Sequence, residues 1–375
     1  MSSAATGRAS GRHRPAPGRY RMVPEPIGRG TTGLTRAALG VALAVAASAM
    51  TSAPVHADLA PAPSAADPSV TRTELVRAEI HGPGWDRLYV ASAAMRRVVP
   101  IDVLHGPGGD PKPTLYLLDG VEGAPTSGWL TDGHAARFFA GKSVDVVLPG
   151  SGVGSMYADW DHYDGTLGLN RWETFLIDEL PSVVENYLHS DGRRAIAGVS
   201  MGAQAAMMLA QRHHGFYRAV AGISGCYSTA DEVGQAVTRI TVASTGGNPE
   251  NLWGPPNSPE WAAHDSYLGA DQLRGTSIYL SAASGLPSPP DLGAIVGAHD
   301  VAGALQSAGG GAVLEAGART CTERFAARLT QLNIPATVRY IPAGTHSWPD
   351  FTAALPSAWD ALAAGLGISR TWGPR

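Results

Sequence analysis

The sequence predicts an α/β fold with a mostly parallel central sheet and helices on both faces. Two observations carry that reading. Short β-type runs alternate with longer runs of helical periodicity, the order that parallel strands joined by crossover helices require. Nearly every candidate strand also ends in Gly, Asp or Ser, and ligands of open α/β sheets gather outside the carboxyl ends of the strands. The candidate strands are Thr114 to Gly120, Ser143 to Gly150, Arg194 to Val199, Arg218 to Gly225, Ser277 to Gly285 and Ala336 to Pro342. Helical patterns fall at Trp172 to Leu188, Met201 to His214 and Arg319 to Leu332. The Gly/Pro/Ser-rich stretches Asn248 to Pro259 and Gly285 to Gly297 read as surface loops, placed to form a rim over the strand ends.

An apolar fraction of 44% in 375 residues is enough for a globular core. With 28 basic and 32 acidic side chains the formal charge is -4, so composition argues against a nucleic-acid partner and against a polybasic lipid anchor. Arginines dot the first segment, Ala37 to Met50 is uncharged and apolar, and Val55-His56-Ala57 forms a small-x-small pattern. That order predicts a secretory signal over 1–57, with Met22 as an alternative start. The apolar run is shorter than the ~20 residues of a spanning helix, so no transmembrane segment is expected in the mature chain. Residues 58–70, rich in Ala and Pro, read as a flexible leader, and 71–375 as one folded domain. Export to an oxidising compartment leads us to expect the two cysteines, Cys226 and Cys321, to form a disulfide.

Gly198-Val199-Ser200-Met201-Gly202 matches G-x-S-x-G between a predicted strand and a predicted helix, the context in which that motif forms a nucleophile elbow. The flanking glycines permit a sharp turn that exposes the Ser200 hydroxyl, and the Met201 amide can face a developing oxyanion. A helix N-cap serine is the plainer reading of the same residue. A serine nucleophile needs a base. His346, in I-P-A-G-T-H-S-W-P after the last predicted strand, fits best, whereas His264 and His299 lack a preceding strand and His213 and His214 read as a solvated helix end. The acid should lie between serine and histidine, which leaves Asp291, Asp300, Glu315 and Glu323, with Glu315 favoured by its nearness to Cys321. The loop after the strand Thr114 to Gly120 offers Val121 as the second oxyanion amide, and Asp119 is either a site residue or a strand-end turn residue. No zinc-type spacing and no phosphate-cradling glycine loop is present, so neither a metal nor a cofactor is expected.

These residues, together with L-Y-L-L-D-G at Leu115, S-G-W at Ser127, S-M-Y-A-D-W at Ser155, W-E-T-F-L-I-D-E-L-P at Trp172, L-W-G-P-P at Leu252 and G-T-H-S-W at Gly344, resemble the antigen 85 mycolyltransferase family, a branch of the esterase D-type α/β-hydrolases. The resemblance runs from about Arg87 to Leu366 and implies an α/β-hydrolase fold with Ser200 as nucleophile, His346 as base and Glu315 as acid. It implies an oxyanion hole from the Val121 and Met201 amides, and substrate contacts near Asp119, Arg319, Ser347 and Trp348. Where the family often carries an arginine after the oxyanion residue, this chain has Glu122. The implied activity is secreted, at the cell envelope: transfer of a mycolyl or related acyl chain from a trehalose ester to trehalose or arabinan. A carboxylesterase or a non-catalytic envelope-binding paralogue are the alternatives.

Overall fold

The structure, a computed structural model, describes residues 66–82 and 84–368. The expected signal over 1–57 lies outside the described residues, as does most of the leader. The leader's last residues are not free, because Asp67 N–H donates to Arg96 O at 2.7 Å.

Among the described residues nine strands form one sheet in the order β1-β2-β3-β5-β4-β6-β7-β8-β9. All six strands expected from the sequence are present: β4 (Thr114–Leu118), β5 (Asp145–Pro149), β6 (Arg194–Val199), β7 (Ala219–Ile223), β8 (Ser277–Ala282) and β9 (Ala336–Tyr340). Five of them stop short of the expected C-terminal end. From β5 through β9 the pairing is parallel. Central strands are buried on both sides, and their two-residue period divides them between layers. In β4, Tyr116 and Leu118 join one core while Leu115 and Leu117 join the other.

Three strands precede these without having been singled out in the sequence: β1 (Glu74–Gly82), β2 (Trp85–Ser92) and β3 (Arg97–Leu104), antiparallel to one another. Their stretch lacks the strand-then-helix rhythm. β1 is exposed along nearly its whole length, and its Glu74, Arg77 and Glu79 suit an edge that must not pair with another chain.

Helix α1 (Leu180–Leu188) follows a π-helical turn at Phe175–Glu179, where Leu180 N–H reaches back five residues to Phe175 O. Pro181, next in the chain, has no N–H to continue a regular ladder. Helix α2 (Met201–Arg212) packs into the core layer of Tyr116 and Ile196. The last helix packs into the layer of Leu115 and Ala197 through Phe351, Leu355 and Leu362, so the sheet is covered on both faces.

Two expectations need correction. The presumed loops contain helices, Pro249–Trp253 and α3 (Pro289–Gly297). Each starts on a side-chain cap, Asn248 or Ser288, with prolines in the first turn, where a missing N–H costs nothing. Glu315 does not precede the helix carrying Cys321 but lies inside it. Helix α4 (Val301–Gln331) is 31 residues long, capped by Asp300, and runs through Gly309-Gly310-Gly311, residues of low helix propensity. The last helix, α5, spans Trp348–Leu366.

His213, expected with His214 as a solvated helix end, is half-buried and joins a knot around the buried carboxylate of Glu173. Glu173 accepts from Arg212 Nε at 2.7 Å and lies 2.7 Å from His213 Nε2, with His264 3.6 Å away. Burial pushes the Glu173 carboxyl up, but the His213, His264 and Arg212 partners outweigh it and hold it well below the usual carboxylate range. The knot fastens the C-terminal end of α2 to the W-E-T-F segment.

Cys226 and Cys321 are bonded, 95 residues apart with Cα atoms separated by 4.9 Å. The bond ties the exit of β7 to α4. Removing a native disulfide typically costs about 2–5 kcal/mol, so Cys226→Ser with Cys321→Ser is expected to lower the guanidinium midpoint by a corresponding amount. An unchanged midpoint in the double variant would show that the crosslink contributes nothing to stability.

Candidate active site

β6 ends at Val199 and α2 begins at Met201, leaving one residue, Ser200, to make the turn. Its φ of 55° and ψ of -120° are sparsely populated for any residue with a side chain, and such strain persists only where the surroundings enforce it. Here the glycines allow it. A Cβ at Gly198 would fall 2.2 Å from Gly202 O, and one at Gly202 would fall 2.4 Å from Asp119 O. Ser200 occupies the N-cap of α2, yet its hydroxyl caps no amide. It lies 2.7 Å from His346 Nε2 instead.

His346 sits in the loop between β9 and α5, and its amide donates to Gly311 O of α4 at 3.2 Å. Its Nδ1 is 2.8 Å from Glu315 Oε2. With Nδ1–H donated to the carboxylate, Nε2 is left to accept from Ser200. Glu315 is 1% exposed. Its other oxygen accepts from Ser224 Oγ at 2.8 Å and from the Ala283 amide at 2.6 Å. Ser224 and Ala283 are the first residues beyond β7 and β8, so the carboxylate is held where two strand ends meet the helix. Sequence reasoning missed both. The only signal was that they follow strands ending in small or polar residues.

The other acids are occupied elsewhere. Asp300 caps α4 through Gly303 N, and Glu323 pairs with Arg319 at 2.6 Å. Asp291 lies behind His346, bonded to Thr345 and Ser347. His264 is buried against Glu173 and Glu260, and His299 is exposed.

The loop after β4 comes close to Ser200, since a Cβ on Gly120 would lie 3.5 Å from Ser200 Cβ. Among the described residues neither the Val121 nor the Met201 amide donates to a protein acceptor. Asp119 is turned inward and 2% exposed, with Oδ1 accepting from Ser127 Oγ at 2.8 Å. Its Oδ2 has no hydrogen-bond partner among the described residues. Burial pushes the Asp119 carboxyl up to about 7, against the Ser127 hydroxyl and the Trp129 and Gly128 amides, which favour the anion. Glu122 is exposed at the rim.

Trp348 packs edge-on against Trp129, ring centroids 5.5 Å apart, and Trp129 Nε1 donates to Leu118 O at 2.9 Å. The histidine loop and the β4 loop are thereby braced together. Ser347 faces Asp291 and Asp350. Arg319 is taken up by Glu323 and by the ring of Tyr340, 4.2 Å from its guanidinium carbon. Among the described residues no His, Cys, Asp and Glu cluster could hold a metal ion.

A nucleophile elbow on a mostly parallel sheet, with serine, histidine and glutamate hydrogen-bonded in series, defines an α/β-hydrolase of the esterase class. Residues 92–362 match the family described as putative esterase, and the chain belongs to that family, within its antigen 85 branch. It is 28% identical to the diacylglycerol acyltransferase/mycolyltransferase Ag85A of Mycobacterium tuberculosis over 298 residues, 76% of this chain and 83% of that one. It is 29% identical to Ag85B of Mycobacterium leprae over 214 residues, 55% of this chain and 64% of that one. The crystal structure of Mycobacterium tuberculosis MPT51 superposes with a TM-score of 0.61 at 26% identity, covering 75% of this chain and 98% of MPT51.

The elbow makes a steric prediction. Gly202→Ala would place Cβ 2.4 Å from Asp119 O and 2.6 Å from Leu118 O, both backbone atoms that cannot swing away. Overpacking of this kind costs about 1–3 kcal/mol, so the variant should melt lower and label more slowly with a fluorophosphonate. Wild-type melting and labelling together would refute the steric account.

Proposed function

We propose that this chain is an exported serine acyltransferase of mycolyltransferase type. It moves a long acyl chain from a trehalose ester to trehalose or to cell-wall arabinan through an acyl-enzyme on Ser200. The observation that carries the reading is the hydrogen-bonded series Ser200, His346, Glu315 at the strand ends, in a chain whose relatives are named diacylglycerol acyltransferase/mycolyltransferase. The expected signal sequence and the Cys226–Cys321 bond support action outside the cytoplasm. Among the described residues no helix is long and apolar enough to cross a membrane.

In the first half-reaction His346 Nε2 takes the Ser200 proton as Oγ attacks the ester carbonyl carbon. Glu315 keeps the ring in the required tautomer and offsets the imidazolium charge, while the Val121 and Met201 amides receive the oxyanion. His346 then protonates the departing sugar oxygen and the C–O ester bond breaks. In the second half-reaction an acceptor hydroxyl gives its proton to His346 and attacks the acyl carbon. Ser200 leaves with that proton. Transfer outpaces hydrolysis only where water is kept from the acyl-enzyme.

A carboxylesterase is the second reading. It is supported by the exposed carboxylate of Glu122 at the position where the family often places a sugar-contacting arginine. The intact Ser200, His346, Glu315 series speaks against a non-catalytic binding protein.

Ser200→Ala is expected to lower turnover of an acyl trehalose by on the order of 10⁴ or more, measured by lipid product analysis with trehalose present. Wild-type turnover in that variant would end the acyl-enzyme mechanism. New sugar ester rather than free acid in the wild-type assay is expected for the transferase, and free acid alone would select the esterase.

A further inference from the structure

Two helix N-termini meet behind His346. α3 starts with Ser288-x-x-Asp291 and α5 with Ser347-x-x-Asp350, the same capping pattern twice. The first closes as a reciprocal capping box: Ser288 N–H donates to Asp291 Oδ2 at 2.8 Å, and the Asp291 amide bonds to Ser288 Oγ at 3.3 Å. The second does not close. Ser347 makes no side-chain cap to α5, and its hydroxyl lies between two carboxylates, 2.9 Å from Asp291 Oδ1 and 3.0 Å from Asp350 Oδ2.

A hydroxyl has one proton and can donate to only one of them. Asp291 is the better-furnished anion. Besides the Ser288 amide it faces the Ser288 hydroxyl at 2.9 Å and the Thr345 hydroxyl at 3.0 Å. Apart from the shared Ser347 hydroxyl, Asp350 has the Thr345 amide at 2.6 Å on Oδ2 and the Ser288 hydroxyl as a lesser neighbour. With the Ser347 proton on Asp291, the contact between Ser347 Oγ and Asp350 is a hydrogen bond only if Asp350 supplies the proton.

We propose that Asp291 and Asp350 are positioning residues for His346 that share one proton through the Ser347 hydroxyl, and that losing this proton to solvent as pH rises loosens the loop carrying the base. The proposal rests on the reading of His346 as the base of Ser200. Thr345 and Ser347, the residues on either side of His346, are the ones the two carboxylates hold. Groups facing the pair are Ser288 from the start of α3 and Thr345 and Ser347 from the loop. Among the described residues no Lys or Arg bonds to either carboxylate. Helix N-termini favour an anion nearby, and Asp291 meets that preference at the meeting point. The titration directions agree. Burial, reinforced by the Asp291 charge, raises Asp350 above its ordinary value, whereas the donors on Asp291 outweigh its burial and lower it.

Asp350→Asn tests this, because with its NH2 turned to Ser347 the carboxamide keeps a donor there at every pH, giving up at all pH values alike the acceptor for Thr345 N–H on the same atom. A carboxyl whose folded-state pKa is raised contributes stability that is full below its unfolded pKa and lost as pH rises through the folded one. Melting temperature and the fluorophosphonate labelling rate of Ser200 are measured for both proteins from about pH 4, the ordinary carboxylate value, to about pH 9. The expected result is that wild type loses ground to Asp350→Asn in both measurements as pH rises and Asp350 ionises, by up to roughly tenfold in labelling rate per pH unit. Ser347→Ala, which deletes the bridge, should label slowly at every pH.

If the anion of Asp350 were the stabilising form, Asp350→Asn would lose stability relative to wild type as pH rises, and the proposal would be overturned. Superimposable profiles, or an Asp350→Asn chain that does not fold, would overturn it equally. A wild-type protein that does not label would refute the nucleophile reading instead, and the melting curves would still decide where the proton resides.

Discussion

The site depends on one buried carboxylate. An isolated carboxylate in a protein interior is strongly disfavoured unless its oxygens find donors, and Glu315 finds three: the imidazole of His346, the Ser224 hydroxyl and the Ala283 amide. Each comes from a different strand end, so the bonds that keep the carboxylate in place also hold the exits of β7, β8 and β9 against α4. Turning Glu315 away would expose no single contact but would leave donors unpaired on all three strands. A glutamate suits this task better than an aspartate, because its extra methylene lets a residue inside a long helix reach across to the sheet.

The geometry around Ser200 is a second constraint of the same kind. The strained backbone of the serine is held by the close approach of β4 and β6 to the start of α2, which only Gly198 and Gly202 permit. The disulfide works on the other side of the site. It joins the loop two residues beyond Ser224 to α4 six residues beyond Glu315, so the donor and the acceptor of one hydrogen bond are carried by crosslinked segments. The glycine run in α4 weakens the helix where it passes His346, and a covalent tie downstream of Glu315 compensates by restricting how that helix can shift.

Much of this was legible in the sequence where the signal is local. Strand alternation with small strand ends located β4 to β9, and G-x-S-x-G between a strand and a helix located the elbow. Choosing the acid was harder, because four carboxylates lie in the right interval and tertiary contacts, not local pattern, separate them: Glu315 reaches His346, Asp291 bonds Thr345 and Ser347, Asp300 caps a helix and Glu323 faces solvent. Ser224 and Ala283 stayed hidden because nothing in their neighbours announces a hydrogen bond to a residue some thirty or ninety positions away. Local composition misled at Gly285 to Gly297, where Pro289 and Pro290 read as loop residues but form the first turn of α3 behind the Ser288 cap.

Asp119 is a second buried carboxyl of the site, with fewer donors. It is as enclosed as Glu315, but one of its oxygens has no hydrogen-bond partner among the described residues, and burial pushes its carboxyl up to about 7. Two residues before Val121, it stands at the start of the loop proposed to face the oxyanion. A fixed negative charge there would oppose the charge that the Val121 and Met201 amides are placed to receive. A carboxyl that readily takes a proton removes much of that conflict.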